Sequence, residues 1–205
     1  VLRISTDKGD RCLKRIKYGR EHFLFILSAM KHLIDNNFDG IIPFIPARNG
    51  ELYIDLEEGY GFLTDWLSCR ECDYSNPIEL DIAAKTLAKL HKASKGFNPE
   101  VGTKGRIGWG KWFEKFESRI EDMIEFKNII QCKPKHTRFD SIYLDNLDYY
   151  INQAQLSLDH LKNSSYLELM EKEMESKSFC HHDYAHHNVL ISKDLKAHII
   201  DFDYC

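Results

Sequence analysis

Residues 179–191, FCHHDYAHHNVLI, and residues 197–205, AHIIDFDYC, constrain this chain more than any other stretch. The short apolar runs at 188–191 (NVLI) and 198–200 (HII) flank the turn-like SKDLKA, which reads as a β-hairpin. A hairpin folds its two ends together. Asp183 lies in the loop before it, Asn188 enters it and Asp201 leaves it, so their oxygen-bearing side chains are expected at one place. Hard oxygens of this kind suit Mg²⁺, which takes one or two protein ligands and leaves the rest to phosphates and water. Asn188 and Asp201 can supply them, one neutral and one charged. Asp183 is then free to orient a hydroxyl and accept its proton. Several histidines would instead favour a softer transition metal.

Composition narrows the partners. A formal net charge of −4 leaves no basic footprint for nucleic acid. Hydrophobic content of 43% with 12% aromatics is that of a chain with a packed core. No apolar run approaches the roughly 20 residues that a bilayer span needs, so no membrane partner is expected. The six cysteines, at 12, 69, 72, 132, 180 and 205, are too scattered for a disulfide framework and read as reduced thiols in a cytosol. Both ends read as cut: Val1 already opens a strand, and Cys205 follows directly on the acidic run. The expectation is a fragment of a longer protein.

The first third of the chain mixes strands with one helix. VLRIST and RCLKRIK flank DKGD, whose residues suit a hairpin turn. Phe23, Ile26, Leu27, Met30, Leu33 and Ile34 recur at helical spacing from about Arg20 to Asn36. IIPFIPA, ELYIDLE and YGFLTDWL read as short strands, so the pattern is α+β. Alternation in RCLKRIK sets Lys14 between Cys12 and Ile16 on one face. An ammonium there is costly unless it meets an anion. The plainer reading is a snorkelling lysine on a partly exposed strand.

The middle is helical. Asn76, Pro77 and Glu79 make a helix start over 76–95, with Leu80, Ala83, Ala84, Leu87, Leu90 and His91 as its apolar stripe and His91 as a core histidine. Gly96 stops it. Trp109, Trp112, Phe113, Phe116, Ile120, Met123 and Ile124 mark a second amphipathic helix. Ile142, Tyr143, Leu147, Tyr150, Ile151, Ala154, Leu158 and Leu161 mark a third. Gly105 to Lys111 imitates a phosphate-binding P-loop, but Trp112 stands where a Ser or Thr is needed and no strand precedes it. Cys69 and Cys72 have zinc-ligand spacing, but a structural zinc needs two more ligands at matching spacing, and only the distant histidines could supply them.

His181-His182-Asp183 with Asn188, followed by Asp201-Phe202-Asp203, resembles the H-x-D-x-x-x-x-N and D-F-G pair of protein kinases. The acidic residue after Asp-Phe and the long helical middle resemble the aminoglycoside phosphotransferase and choline kinase-like branch more closely. Within that branch, LKRIKYGREHFLFILSAMKHL, FLTDWLSCRE, LAKLHKASKGF, CHHDYAHHNVLI and IIDFDYC are similar to the spore coat protein S family of endospore-forming bacteria, over nearly the whole chain.

The resemblance implies a bilobal, protein-kinase-like α+β fold. Residues 1–67 would be the small N-terminal lobe without its first strand and Gly-rich loop. Residues 68–205 would be the mainly helical C-terminal lobe with the catalytic β-hairpin, without its C-terminal part. It implies Asp183 as catalytic base, Asn188 and Asp201 as Mg²⁺ ligands, and Lys14 as the phosphate-binding strand lysine. Glu21 would be the ion-pair partner of Lys14, although it falls roughly opposite the apolar stripe of its helix. Thr64, Asp65, Trp66 and Leu67 would form the hinge beside adenine. His181 becomes a residue that braces the loop; His182, His186 and His187 become loop polar groups, with His186 or His187 able to contact substrate.

The implied cofactors are ATP and Mg²⁺, and the implied partners are a small-molecule acceptor and other spore coat proteins. Synthesis would be cytoplasmic and the destination the spore coat. Two functions stay open: a phosphotransferase working in sporulation, or a degenerate kinase fold serving as a coat component, since fold does not fix function. The joint presence of Asp183, Asn188 and Asp201 favours the first. A metal phosphohydrolase built on His182-Asp183 would need its ligands spread over helices, whereas these precede a hairpin.

Overall fold

The opening hairpin forms as its turn residues predict. In the structure, a computed structural model that describes residues 1–205, β1 (Leu2–Thr6) pairs antiparallel with β2 (Gly9–Ile16), Leu2 opposite Leu13. Together with β3 (Ile54–Leu56) and β4 (Gly59–Asp65) they make a four-stranded antiparallel sheet of order β1-β2-β4-β3, in which Lys14 faces Phe62 and Cys12 faces Thr64. Gly59 turns β3 into β4 at φ +90°, against the Ile16 carbonyl, where any Cβ would collide. IIPFIPA does not form the expected strand. It contributes one bridge, Phe44 to Thr64, and one bond, Ile45 N–H to Leu63 O at 2.8 Å. Pro43 and Pro46 bracket these residues and have no N–H to donate, so the ladder stops.

α1 (Arg20–Asp35) buries Phe23, Ile26, Leu27, Met30 and Leu33, the face its spacing predicts. It ends because Asn37 adopts φ +57°. Asn37 N–H then reaches Ile34 O at 3.0 Å and Phe38 N–H reaches Leu33 O at 2.9 Å, satisfying the last carbonyls and turning Phe38 into the core. The buried face of α1 meets Ile16, Phe62, Leu90, Phe97, Ile199 and Phe202 in one core. Phe23 and Leu33, 1% and 0% exposed, each contribute about 1.5–3 kcal/mol by that burial.

α2 (Pro77–Ala93) begins as read, with Asn76 Oδ1 accepting from Ile78 N–H at 3.0 Å. Its inward face differs from the expected stripe. Glu79, Ala83, Thr86 and Leu90 are buried, while Leu80, Ala84 and His91 are exposed, so His91 is not a core histidine. The cause is Glu79. Its carboxylate accepts from Asp73 N–H at 2.9 Å and from the Arg70 guanidinium at 2.6 and 2.7 Å, which anchors that side of the helix inward. Arg70 belongs to β5 (Arg70–Glu71), the edge of a second antiparallel sheet of order β5-β6-β7, with β6 (Val189–Ile191) and β7 (Ala197–Ile199). Val189, Ile191 and Ala197 pack there with Cys72 and Ala83.

The elements above belong to one of two compact units, Val1–Arg106 with Ser176–Cys205; the other is Ile107–Glu175. The second unit contains α3 (Trp112–Gln131), α4 (Arg138–Lys162) and α5 (Tyr166–Glu175). A reciprocal capping box starts α4: Asp140 N–H donates to Thr137 Oγ1 at 3.2 Å, and Thr137 N–H to Asp140 Oδ2 at 2.8 Å. Ile120 and Ile130 of α3 and Leu147 and Leu158 of α4 are buried, but Trp112, Ile124, Ile142 and Tyr150 of the expected stripes are exposed. α5 was not expected, and none of its residues is buried. No helix is long and apolar enough to cross a membrane.

Candidate active site

The hairpin brings its two ends together through three backbone-centred contacts. Val189 pairs with Ile199, and one step outward Ile200 N–H donates to Asn188 O at 3.0 Å. His181, 1% exposed, donates from Nε2 to Ile200 O at 2.9 Å and packs edge-on against Phe202 at 4.6 Å between ring centroids. Its Nδ1 accepts from Asp183 N–H at 3.3 Å, which requires the neutral ring with its proton on Nε2. Burial pushes the His181 pKa down, more than the Ile200 carbonyl raises it, and so keeps the ring neutral. One buried imidazole therefore ties the loop carrying Asp183 to the strand end carrying Asp201.

Asn188 closes the loop from the other side. A short 3₁₀ turn at His186–Asn188 buries it to 3% exposure, and its Nδ2 donates to Asp183 O at 2.9 Å and to Asp183 Oδ2 at 3.0 Å. With the amide nitrogen turned onto Asp183, Oδ1 is the atom that Asn188 has left for a cation. Asp183 keeps Oδ1 as its second oxygen. His186 and His187 are exposed.

Lys14 reaches this place from β2. Its Nζ lies 2.6 Å from Asp201 Oδ1 and 2.6 Å from Asp203 Oδ1, and Asp203 Oδ1 also accepts from the Tyr18 hydroxyl at 3.1 Å. The anion that the buried strand face requires is thus a pair of carboxylates. Burial pushes the Asp201 carboxyl up, but the hydrogen bond and charge of Lys14 outweigh it and leave the group below the usual carboxylate range. Asp201 sits at φ +64°, a backbone conformation that costs an aspartate little and aims its side chain back at Lys14.

A cleft of about 240 Å³ adjoins these groups. Lys14, Thr64, Asp65, Trp66, Leu67 and Asp201 all line it, so six residues chosen from three separate stretches of sequence share one cavity. Cys12, Met30, Phe62 and Leu190 supply apolar wall. Thr64 is 6% exposed, and Trp66 is held to the sheet by its N–H, which donates to Asp10 O at 3.1 Å. Asp183 and Asn188 stand at the hairpin entry rather than in this lining. Glu21 is not brought to Lys14: it lies exposed in the first turn of α1, while the ammonium is held by Asp201 and Asp203. Asp203 and Tyr18 are the partners that sequence reasoning missed. The only signal for Asp203 was its place in Asp201-Phe202-Asp203; for Tyr18 there was none.

The donor set fits the chemistry expected of it. Asn188 and Asp201 offer hard oxygens for Mg²⁺, Lys14 offers a cation for phosphate, and the apolar walls suit a flat heterocycle.

Comparison with known proteins gives the family and the fold. A family model described as spore coat putative kinase YutH matches residues 15–204. Spore coat protein S of Bacillus subtilis (strain 168) is 23% identical over 184 residues, 90% of this chain and 52% of that protein. Endospore coat-associated protein YutH of the same organism is 27% identical over 139 residues, 67% of this chain and 38% of that protein. This chain therefore spans about half or less of the length of these relatives. Among solved structures, an aminoglycoside phosphotransferase from Alicyclobacillus acidocaldarius matches with a TM-score of 0.83 at 21% identity, covering 98% of this chain and 59% of that one. Spectinomycin phosphotransferase APH(9)-Ia, solved with ADP and spectinomycin, matches with a TM-score of 0.71 at 16% identity, over 98% of this chain and 59% of that one. The fold is the α+β kinase-like fold of these phosphotransferases, as the sequence motifs imply.

Proposed function

The chain belongs to the spore coat putative kinase YutH family, and from that premise we propose that it carries an ATP-dependent, Mg²⁺-requiring phosphotransferase site acting on the hydroxyl of a small molecule. The observation that carries this reading is Lys14 Nζ at 2.6 Å from Asp201 Oδ1, on the wall of a cleft edged by Thr64, Asp65, Trp66 and Leu67. A strand lysine and a hairpin aspartate that meet across 187 residues of sequence are the pair a nucleotide's phosphates require.

Each residue has a part in this reading. Asn188 Oδ1 and the Asp201 carboxylate hold Mg²⁺, whose charge offsets that of the nucleotide phosphates when bound. Lys14 exchanges one of its carboxylates for a phosphate oxygen. Residues 64–67 lie along the base, with Cys12 and Leu190 on the apolar faces of the cleft. Asp183 orients the acceptor hydroxyl through Oδ1 and takes its proton, while Asn188 fixes Oδ2 and His181 fixes the backbone. Residues 1–67 are then the lobe that brings Lys14, and residues 68–205 the lobe that brings the hairpin. The relatives' names support work in the spore coat.

Calorimetric titration of the full-length protein with ADP, with and without Mg²⁺, tests the reading. Saturable binding that depends on Mg²⁺, and that Asp201→Asn weakens, is expected. An absence of binding heat and of thermal stabilisation in the parent protein would overturn it.

A further inference from the structure

Residue 106 carries a cation that the site as described does not use. The loop leading to it is tied down twice. Lys104 N–H donates to Glu21 O at 3.1 Å, and Gly105 lies so close to the Phe25 ring that a Cβ would come 2.5 Å from a ring carbon. Arg106 then lays its guanidinium over Tyr204, 4.8 Å from the ring centroid. Tyr204 directly follows Asp203, so the cation stands beside the loop of the active-site aspartates. It donates no hydrogen bond and forms no ion pair there. The carboxylates of Asp201 and Asp203 are already held by Lys14, at 2.6 Å each, and Asp203 also by Tyr18 at 3.1 Å. The field of Arg106 still reaches the site: burial and the Asp203 charge raise the Tyr18 phenol pKa, and Arg106 opposes them.

A guanidinium held over a ring face by cation–π attraction keeps its N–H donors free for another partner. Those donors form a fixed fork that matches the two oxygens of a carboxylate or phosphate. Arg106 lies outside the lining of the nucleotide cleft, as does Asp183, the proposed base for the acceptor hydroxyl. We propose that Arg106 recognises the phosphate acceptor, taking a carboxylate or phosphate group on the molecule whose hydroxyl is phosphorylated. The acceptor is then a hydroxy acid or a phosphorylated alcohol rather than an amino sugar, whose ammonium groups a guanidinium repels. This rests on the phosphotransferase reading.

Two titrations of the full-length protein test it. In the first, without nucleotide, inorganic phosphate and acetate are added while the backbone amide resonances of Gly105 and Tyr204, present in the parent and in every variant, are followed. Saturable shifts are expected, with affinity roughly tenfold or more weaker in Arg106→Gln and partly restored in Arg106→Lys. A response to phosphate alone makes the acceptor a phosphate ester, and a response to acetate makes it a carboxylic acid. In the second, ADP with Mg²⁺ is titrated, and Arg106→Gln should bind it as the parent does. A shift that never saturates, or equal anion affinity in Arg106→Gln, would overturn this proposal alone. So would a roughly tenfold loss of ADP affinity in Arg106→Gln, which would assign the guanidinium to the nucleotide. A parent protein that binds no ADP would instead defeat the phosphotransferase reading, and the acceptor with it.

Discussion

Asn188 turns its side-chain amide onto Asp183, donating to the backbone oxygen at 2.9 Å and to Oδ2 at 3.0 Å. Two residues five apart in sequence thereby lock the loop in which the proposed base sits, at a position only 3% exposed. Asn188→Asp keeps the shape but removes both donors and sets two carboxylates against each other. It should cost about 1–3 kcal/mol at neutral pH, read as a lower urea midpoint. An unchanged midpoint would mean that the pair does not brace the loop.

His181 does the corresponding work on the other side of Asp183. Its ring is 1% exposed, donates to Ile200 O at 2.9 Å and rests against Phe202. His181→Ala leaves a cavity and a carbonyl without its donor, and should destabilise by about 2–4 kcal/mol in thermal or urea unfolding. His181→Phe, which fills the space but cannot donate, should recover part of that loss. Equal stability of the alanine variant and the parent would contradict the bracing role.

Acid should weaken two anchors away from the cleft. The Arg70 hydrogen bond, with Asp73 N–H, holds Glu79 down at about 2 against an ordinary 4.5. A group with a depressed folded pKa stabilises fully above its unfolded pKa, and the contribution is lost as pH falls through the folded value. Stability should therefore decline from pH 4.5 toward about 2, and Glu79→Gln should flatten the urea midpoint across that window. Asp140, held at about 2 first by Lys133, adds to the same decline. An identical pH profile in Glu79→Gln would remove Glu79 as a source.

The hairpin and α1 were legible in sequence because each rests on a local rule. Apolar runs flanking SKDLKA close the hairpin that joins the backbone at Asn188 to that at Ile200, and the 3.6-residue spacing of α1 names its buried face. The α2 face was not legible, because it is set by Glu79 meeting Arg70, and a buried carboxylate is invisible to a hydrophobic pattern. IIPFIPA looked like a strand by apolar content, but Pro43 and Pro46 decided otherwise. Trp112, Ile124 and Ile142 follow helical spacing and still lie exposed, since spacing says which residues share a face and not what covers it. Within the site, the cost of burying an ammonium on a strand drew notice to Lys14, but a snorkelling lysine was the plainer reading and only the family resemblance implied its role. Its partners Asp203 and Tyr18 depend on tertiary placement that no local pattern carries.

The role that decides between enzyme and coat scaffold is that of Asp183 as the proposed base. Its most direct test is ADP formation from ATP and Mg²⁺ by the full-length protein in an extract of sporulating cells, where the acceptor is present, with Asp183→Asn compared at equal protein level. That substitution keeps size and hydrogen-bonding reach, removes the charge that accepts a hydroxyl proton, and leaves Asn188 and Asp201 in place. Turnover is expected in the parent, with a fall of roughly 10²–10⁴-fold in Asp183→Asn and ADP affinity retained. No turnover in the parent above that of Asp183→Asn, together with normal spore coats from the variant, would contradict it and leave a kinase fold that serves the coat as structure alone.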